Sequence, residues 1–257
     1  MQDLETPATI NTLRALVFQV LWLLTGSMAS VAYKRTTAGL TTALRMGYHV
    51  SSPGLSDDDQ FRRRQVLSVL YISHVNLASA LGMPVMRDID VIQLLPLRQA
   101  DLHDEGKACV AGNPHTPEAE AILATKLHAI LVKVNLCRHP ANKTLPRNGD
   151  TYEVSYSEME DFEGDLERWY ECLPLIDTVP MGGRALLAQL TLRYVYAVIQ
   201  MGLYRPFLHH LTTDATDARF DERGYAYGSG CIRAAMQAVW WVNDSFSMVI
   251  PCHVSIS

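Results

Sequence analysis

The chain has 257 residues, 48% of them hydrophobic and 19% charged, which is enough to bury a large core and argues against a disordered polypeptide. Its net charge is −5 and no basic run is longer than Arg62 to Arg64, so it lacks the basic face that gripping a nucleic-acid backbone requires. Its five cysteines, Cys109, Cys137, Cys172, Cys231 and Cys252, lie far apart with no Cys-x-x-Cys pair; reduced thiols in an intracellular protein are expected, not a disulfide framework.

In chain order, the first element is apolar. From Ala15 to Tyr33 no residue carries a formal charge, a length close to the minimum for a membrane-spanning helix. Gln19, Thr25, Gly26, Ser27 and Ser30 dilute it, and the preceding MQDLETPATINTLR lacks the basic start of a signal peptide. Leu13, Leu16, Val17, Val20, Leu21, Leu24 and Met28 recur at three- and four-residue spacing, so the segment reads as a core helix.

Ser56 followed by Asp57, Asp58 and Asp59 marks a second helix start, with acids on the positive end of the helix. Leu67, Leu70, Tyr71, His74, Leu77, Ala78 and Leu81 form its apolar face, and Gly82 and Pro84 stop it. A loop-rich segment runs over about 84–117, and Leu123, Leu127, Ile130, Leu131 and Val134 make the next stripe. Ser157 and Glu160 read as a capping box leading into Phe162, Leu166, Trp169, Tyr170 and Leu173, with Pro174 as terminator. Leu187, Leu190, Tyr194, Ala197, Val198 and Met201 continue the pattern. It runs out in LYRPFLHH, Leu203 to His210, where Tyr204 and Leu208 are expected to pack inward, Pro206 to break the helix after Arg205, and His209 and His210 to lie near an exposed end. Cys231, Ala234, Ala235, Ala238, Trp241 and Val242 form the last stripe. The fold class is all-α: an irregular array of about seven longer helices with long loops, read as one domain over 1–257.

Little in the chain carries chemistry. DDDQF at Asp57 to Phe61 and NDSFS at Asn243 to Ser247 resemble the magnesium motifs of class I terpene synthases. The first acids are explained by the helix dipole, and Pro251 stands where the second motif would end in an acid. His49, His74, His128, His209 and His210 have no second ligand pair at zinc spacing, nor do Cys137 with His139 or Cys252 with His253, so the histidines read as structural. No Gly-rich phosphate loop, HExxH or GxSxG occurs. The arginine run reads as a solvated face paired with the aspartates one turn before it. No residue is assigned a catalytic, cofactor-binding or metal-binding role, and the chain is not expected to be an enzyme.

An ordered set of segments is more specific than any one of these. LRALVFQVLWLL leads to ALRMGYH; then Arg63, Arg64, Tyr71, Gly82, Pro84, Asp88, Asp90 and Pro96 fall at characteristic spacing. Later come Leu166, Trp169 and Pro174, then Tyr204, Arg205 and Pro206, then Cys231 with Ala234 and Ala235. From about Thr12 to Trp241 the chain resembles the middle regulatory region of the fungal binuclear zinc-cluster transcription factors, the fungal-specific transcription factor domain. It departs from that pattern at Leu67 and Ser68, where a tryptophan pair is common, at His74 and Val75 in place of Asp-Arg, and at Met83 in place of arginine.

The resemblance implies a regulatory, effector-responsive domain in the nucleus, controlling transcription by RNA polymerase II through intramolecular or partner contacts. The implied partners are transcriptional co-regulators or the rest of a transcription factor, with a small effector between helices. Neither direct nucleic-acid contact nor membrane association is implied. No cofactor is expected in this chain, since zinc belongs to a DNA-binding module whose six cysteines have no counterpart here. The alternatives are an all-α, Mg-dependent enzyme of the terpene-synthase kind and a helical scaffold or membrane-associated protein. The match ends before further helices, so the chain reads as an incomplete copy, and the surface around Trp240, Trp241 and Val242 is expected to be exposed.

Overall fold

The structure, a computed structural model, describes residues 9–50, 54–83, 85–86, 116–138, 155–176, 179, 183–212 and 221–249. Among them are seven α-helices and no strand, an all-α fold. The helices are α1 (Ile10–Thr25), α2 (Ala29–Arg45), α3 (Asp57–Leu81), α4 (Pro117–Arg138), α5 (Tyr156–Tyr170), α6 (Arg184–Tyr204) and α7 (Glu222–Val249). A 3-10 segment, Arg205–Thr212, continues α6. The sequence reads as one domain; the chain forms two compact units, 1–103 and 104–257.

In the first unit, α1 starts on a reciprocal cap. The Thr12 amide donates to the Thr9 hydroxyl and the Thr9 amide to the Thr12 hydroxyl, satisfying two otherwise unpaired donors. Leu13, Val20 and Leu23 are buried, with Leu16 packed beside them, whereas Leu21, Leu24 and Met28 are exposed. The expected face is therefore rotated. Apolar residues surround α1 almost completely, so spacing alone does not single out the buried side, and the chain turns at Ser27 (φ 56°), which moves Met28 into the cap of α2.

Gly39 lets the three helices of this unit meet. A Cβ there would lie 2.8 Å from Leu16 Cδ2 and 3.3 Å from Leu70 Cδ2. Helix α3 begins as expected, the Ser56 hydroxyl accepting from the Asp59 amide. It ends at Gly82, whose left-handed φ of 66° any side chain would strain. Six of its seven expected core residues are buried, Leu81 being exposed, and Val66, Ser68 and Val75 join them. A helix buried over so wide an arc is the centre of its unit.

In the second unit, Leu123, Leu127, Ile130, Leu131 and Val134 of α4 are all buried as expected, each contributing about 1.5–3 kcal/mol of transfer free energy. The Trp169 indole N–H donates to the Leu123 carbonyl at 2.9 Å, tying α5 to α4. Helix α5 starts one register earlier than expected, with the reciprocal cap formed by Ser155 and Glu158. VSYSEME contains two S-x-x-E registers, and the earlier one buries Met159 completely and places Tyr156 in the first turn. Leu166, Trp169 and Leu173 are buried as expected, Phe162 is half-buried, and Tyr170 is exposed.

On α6, Leu190 and Ala197 are buried, but Leu187 and Tyr194 are exposed. The true inner face carries Leu186, Gln189, Leu190, Arg193 and Ala197, two of them polar. The stretch 184–212 is long and apolar enough to cross a membrane by length and composition; here α4 and α7 pack against it. On α7, Cys231, Ala234 and Ala238 are buried and Ala235, Trp241 and Val242 half-buried. Of the surface expected to be exposed, Trp240 is open at 64% while Trp241 packs beside Val179, Leu186 and Leu190.

Candidate functional site

The segment LYRPFLHH turns from α-helix to 3-10 helix at Arg205. Pro206 has no amide hydrogen to return to Gly202, so the α-helical ladder cannot continue through it. The tightened segment lies against α7 on a run of glycines. A Cβ at Gly228 would stand 2.8 Å from the Phe207 carbonyl oxygen, and one at Gly224 would stand 2.6 Å from His210 Cδ2. A Cβ at Gly230 would stand 3.3 Å from Tyr204 Cδ2. Two glycines four apart on one helix face thus open the channel that the 3-10 backbone fills.

Aromatic rings from three elements close over this seat. Phe207 is buried and packs 5.0 Å from Tyr227 and 5.9 Å from Tyr156 between ring centroids, and Tyr204 lies 5.7 Å from Tyr227. Acids take the hydroxyl groups. Tyr204 donates to Glu163 Oε1 at 2.7 Å and Tyr227 to Glu163 Oε2 at 3.3 Å, and Tyr156 donates to Asp221. Burial, reinforced by Glu163, pushes the Tyr204 phenol far above its ordinary value, and burial raises Tyr227 as well. Both rings are therefore proton donors at neutral pH. Arg223 lies over Tyr156 at 4.8 Å and pairs with Glu160, an ion pair that raises the arginine's pKa.

The other landmark residues fall in separate places. Tyr204 is buried, Arg205 exposed, and Pro206 half-buried. Leu208, expected to pack inward, is exposed, because the tighter 3-10 winding puts Phe207 on the inner side instead. His209 is exposed and donates from Nδ1 to the Pro206 carbonyl, while His210 is half-buried. In the first unit, Arg63 lies over the Tyr48 ring at 5.1 Å, Arg64 is half-buried, Tyr71 is buried, and Gly82 caps α3. The expectations for Pro84, Asp88, Asp90 and Pro96, like that for the loop-rich segment over 87–115, fall outside the described residues.

The chemistry of these groups is that of packing and hydrogen bonding. Among the described residues no group of three or more His, Cys, Asp or Glu side chains comes together to hold a metal. Asp58 pairs with Arg62 at 2.7 Å, as the arginine run suggested, and Asp59 accepts from the Ser56 hydroxyl; two of the three acids of the magnesium-like motif thus serve the start of α3. Burial pushes the Cys231 thiol up, and the thiol contacts the Met201 carbonyl. The sequence reading missed Gly224, Gly228 and the acids Glu163 and Asp221. The signal available for the glycines was their i, i+4 spacing in GYAYGSG, inside an otherwise strong helix.

Over nearly its whole length the chain is similar to fungal transcriptional regulators. It is 24% identical to the activator of stress genes protein 1 of Candida albicans, across 94% of this chain and 27% of that protein. It is also 24% identical to the activator of stress genes 1 of Saccharomyces cerevisiae, across 95% of this chain and 26% of that protein. An uncharacterized transcriptional regulatory protein of Schizosaccharomyces pombe is 25% identical across 80% of this chain and 25% of its own length. The chain thus spans about a quarter of the length of these relatives. No family model matches the chain. No solved structure matches it.

Proposed function

We propose that this chain is a regulatory module of a fungal transcription regulator, acting in the nucleus through contacts with co-regulators or with other parts of a transcription factor, and not by reading DNA itself. The observation that carries this reading is similarity across 94% and 95% of the chain to two proteins named as activators of stress genes. The net charge of −5 supports a role without direct DNA contact. The packing around Tyr204 and Phe207 is a buried, hydrogen-bonded core, which supports a structural, protein-contact module, and among the described residues of this packing no nucleophile is paired with a base. The names of the relatives make activation the direction to test. Fusing the chain to a heterologous DNA-binding domain and reading a reporter in yeast tests the proposal: a change in output relative to the DNA-binding domain alone is expected, and none would count against it. The terpene-synthase reading has less support, because Asp58 and Asp59 are engaged locally.

A further inference from the structure

The outward side of α7 carries large apolar side chains. Ile232, Met236, Val239 and Trp240 are all exposed, Met236 at 68% and Val239 at 70%, and they recur at the three- and four-residue spacing of one helix stripe. Such a stripe marks an interaction surface.

The stripe is also self-complementary. Ser229 stands seven residues before Met236 and Asn243 seven after; Ile232 stands four before and Trp240 four after. At these positions polar mirrors polar and apolar mirrors apolar about Met236, while Val239 mirrors Arg233. We propose that a second copy of this chain docks on this face antiparallel to the first, with a two-fold axis through Met236. In that pairing Ile232 meets Trp240 of the second copy, and Ser229 meets Asn243, a hydroxyl against an amide that can donate or accept.

Charge favours the same occupant. Between Gly224 and Asn243 the only ionised side chain of α7 is Arg233. Three residues before the axis, it reaches the side of Val239 and Trp240 of the second copy, where the indole face accepts a guanidinium. The two Arg233 positions are six residues apart along the paired helices, about 9 Å, and no carboxylate is trapped in the seam. The surface from Ser229 to Asn243 is only about 21 Å long. A contact of that size forms a weak, concentration-dependent dimer and not a permanent one, and an isologous pair closes at two copies.

Sedimentation of the full chain, 28.7 kDa, from low micromolar to near-millimolar concentration tests this. The mass is expected to rise toward twice the monomer value. Met236→Glu and Met236→Lys, each checked for wild-type helicity by circular dichroism, are each expected to remain monomeric. An equimolar mixture of the two is expected to dimerise again, because residue 236 faces itself and the mixture places Glu against Lys. A chain that stays monomeric throughout, dimers that persist in either variant alone, assembly beyond two copies, or a mixture that remains monomeric would each overturn the proposal.

Discussion

Tyr71 and His74, one turn apart on α3, hold both polar atoms of the Met86 residue. The Tyr71 hydroxyl donates to the Met86 carbonyl at 3.2 Å, and His74 Nε2 accepts from the Met86 amide at 3.3 Å. The other ring nitrogen, Nδ1, lies 3.3 Å from the Thr37 hydroxyl, whose own hydrogen goes to the Tyr33 carbonyl. That leaves His74 as donor to Thr37, so the ring is neutral with its proton on Nδ1.

Burial lowers the His74 pKa below its ordinary value of 6.5. The unfolded chain therefore takes up a proton before the folded one does. Stability from this group is full above the unfolded value and falls as the pH drops through it toward the folded value. The Tm is expected to fall on acidification through this window, less steeply in His74→Gln. His128, also lowered by burial, keeps part of the slope. Identical slopes in the two proteins would show that His74 is not neutral in the fold.

Gly228→Ala is expected to destabilise by about 1–3 kcal/mol, the usual cost of overpacking, since its Cβ would press on the Phe207 carbonyl. Gly164→Ala serves as the contrast. Its Cβ would meet only the flexible end of Arg168, at 3.5 Å, and a mid-helix glycine replaced by alanine is expected to gain about 0.5–1 kcal/mol. Chemical denaturation of both variants measures the opposite signs.

Tyr204→Phe removes one of the two phenols that serve Glu163. The loss of a hydrogen bond to a carboxylate is expected to cost about 1.5–3 kcal/mol. In a double-mutant cycle with Glu163→Gln, the two losses are expected to be clearly non-additive. Simple additivity would mean that the bond does not form in solution.

Arg193 is buried, and among the described residues no carboxylate pairs with it. Its guanidinium donates to the Pro174 carbonyl at 2.5 Å and to Gln189 Oε1 at 3.0 Å, and lies 5.9 Å from the Trp241 ring centroid. Lysine cannot reproduce that planar fork, so Arg193→Lys is expected to lower the Tm nearly as much as Arg193→Ala. Full rescue by lysine would show that charge alone matters there.

That same arginine explains where the sequence misled. On α4 all five expected residues are buried, because the polar residues buried with them, Glu120, Thr125 and Asn135, interleave with the apolar stripe without displacing it. On α6 the buried face contains Gln189 and Arg193, so an apolar pattern searched by spacing settles on the exposed Leu187 and Tyr194. Capping chemistry located the start of α5 only to within one register, because two serines compete, and tertiary burial of Met159 decides between them. LYRPFLHH stood out as a landmark because arginine, proline and paired histidines are unusual at a helix end. Its partners Glu163, Tyr227 and Gly228 come from other elements, a juxtaposition that local periodicity cannot supply.

Reporter output from the chain tethered to a heterologous DNA-binding domain, compared between the wild-type chain and Arg205→Ala with their Tm values taken in parallel, tests the regulatory assignment most directly. Arg205 is exposed at the turn from α6 into the 3-10 segment, so its replacement is expected to leave the Tm within about 1–2 °C, as for an ordinary surface change. The wild-type fusion is expected to change output relative to the DNA-binding domain alone, and Arg205→Ala to lose much of that change. A wild-type fusion indistinguishable from the DNA-binding domain alone would contradict the account.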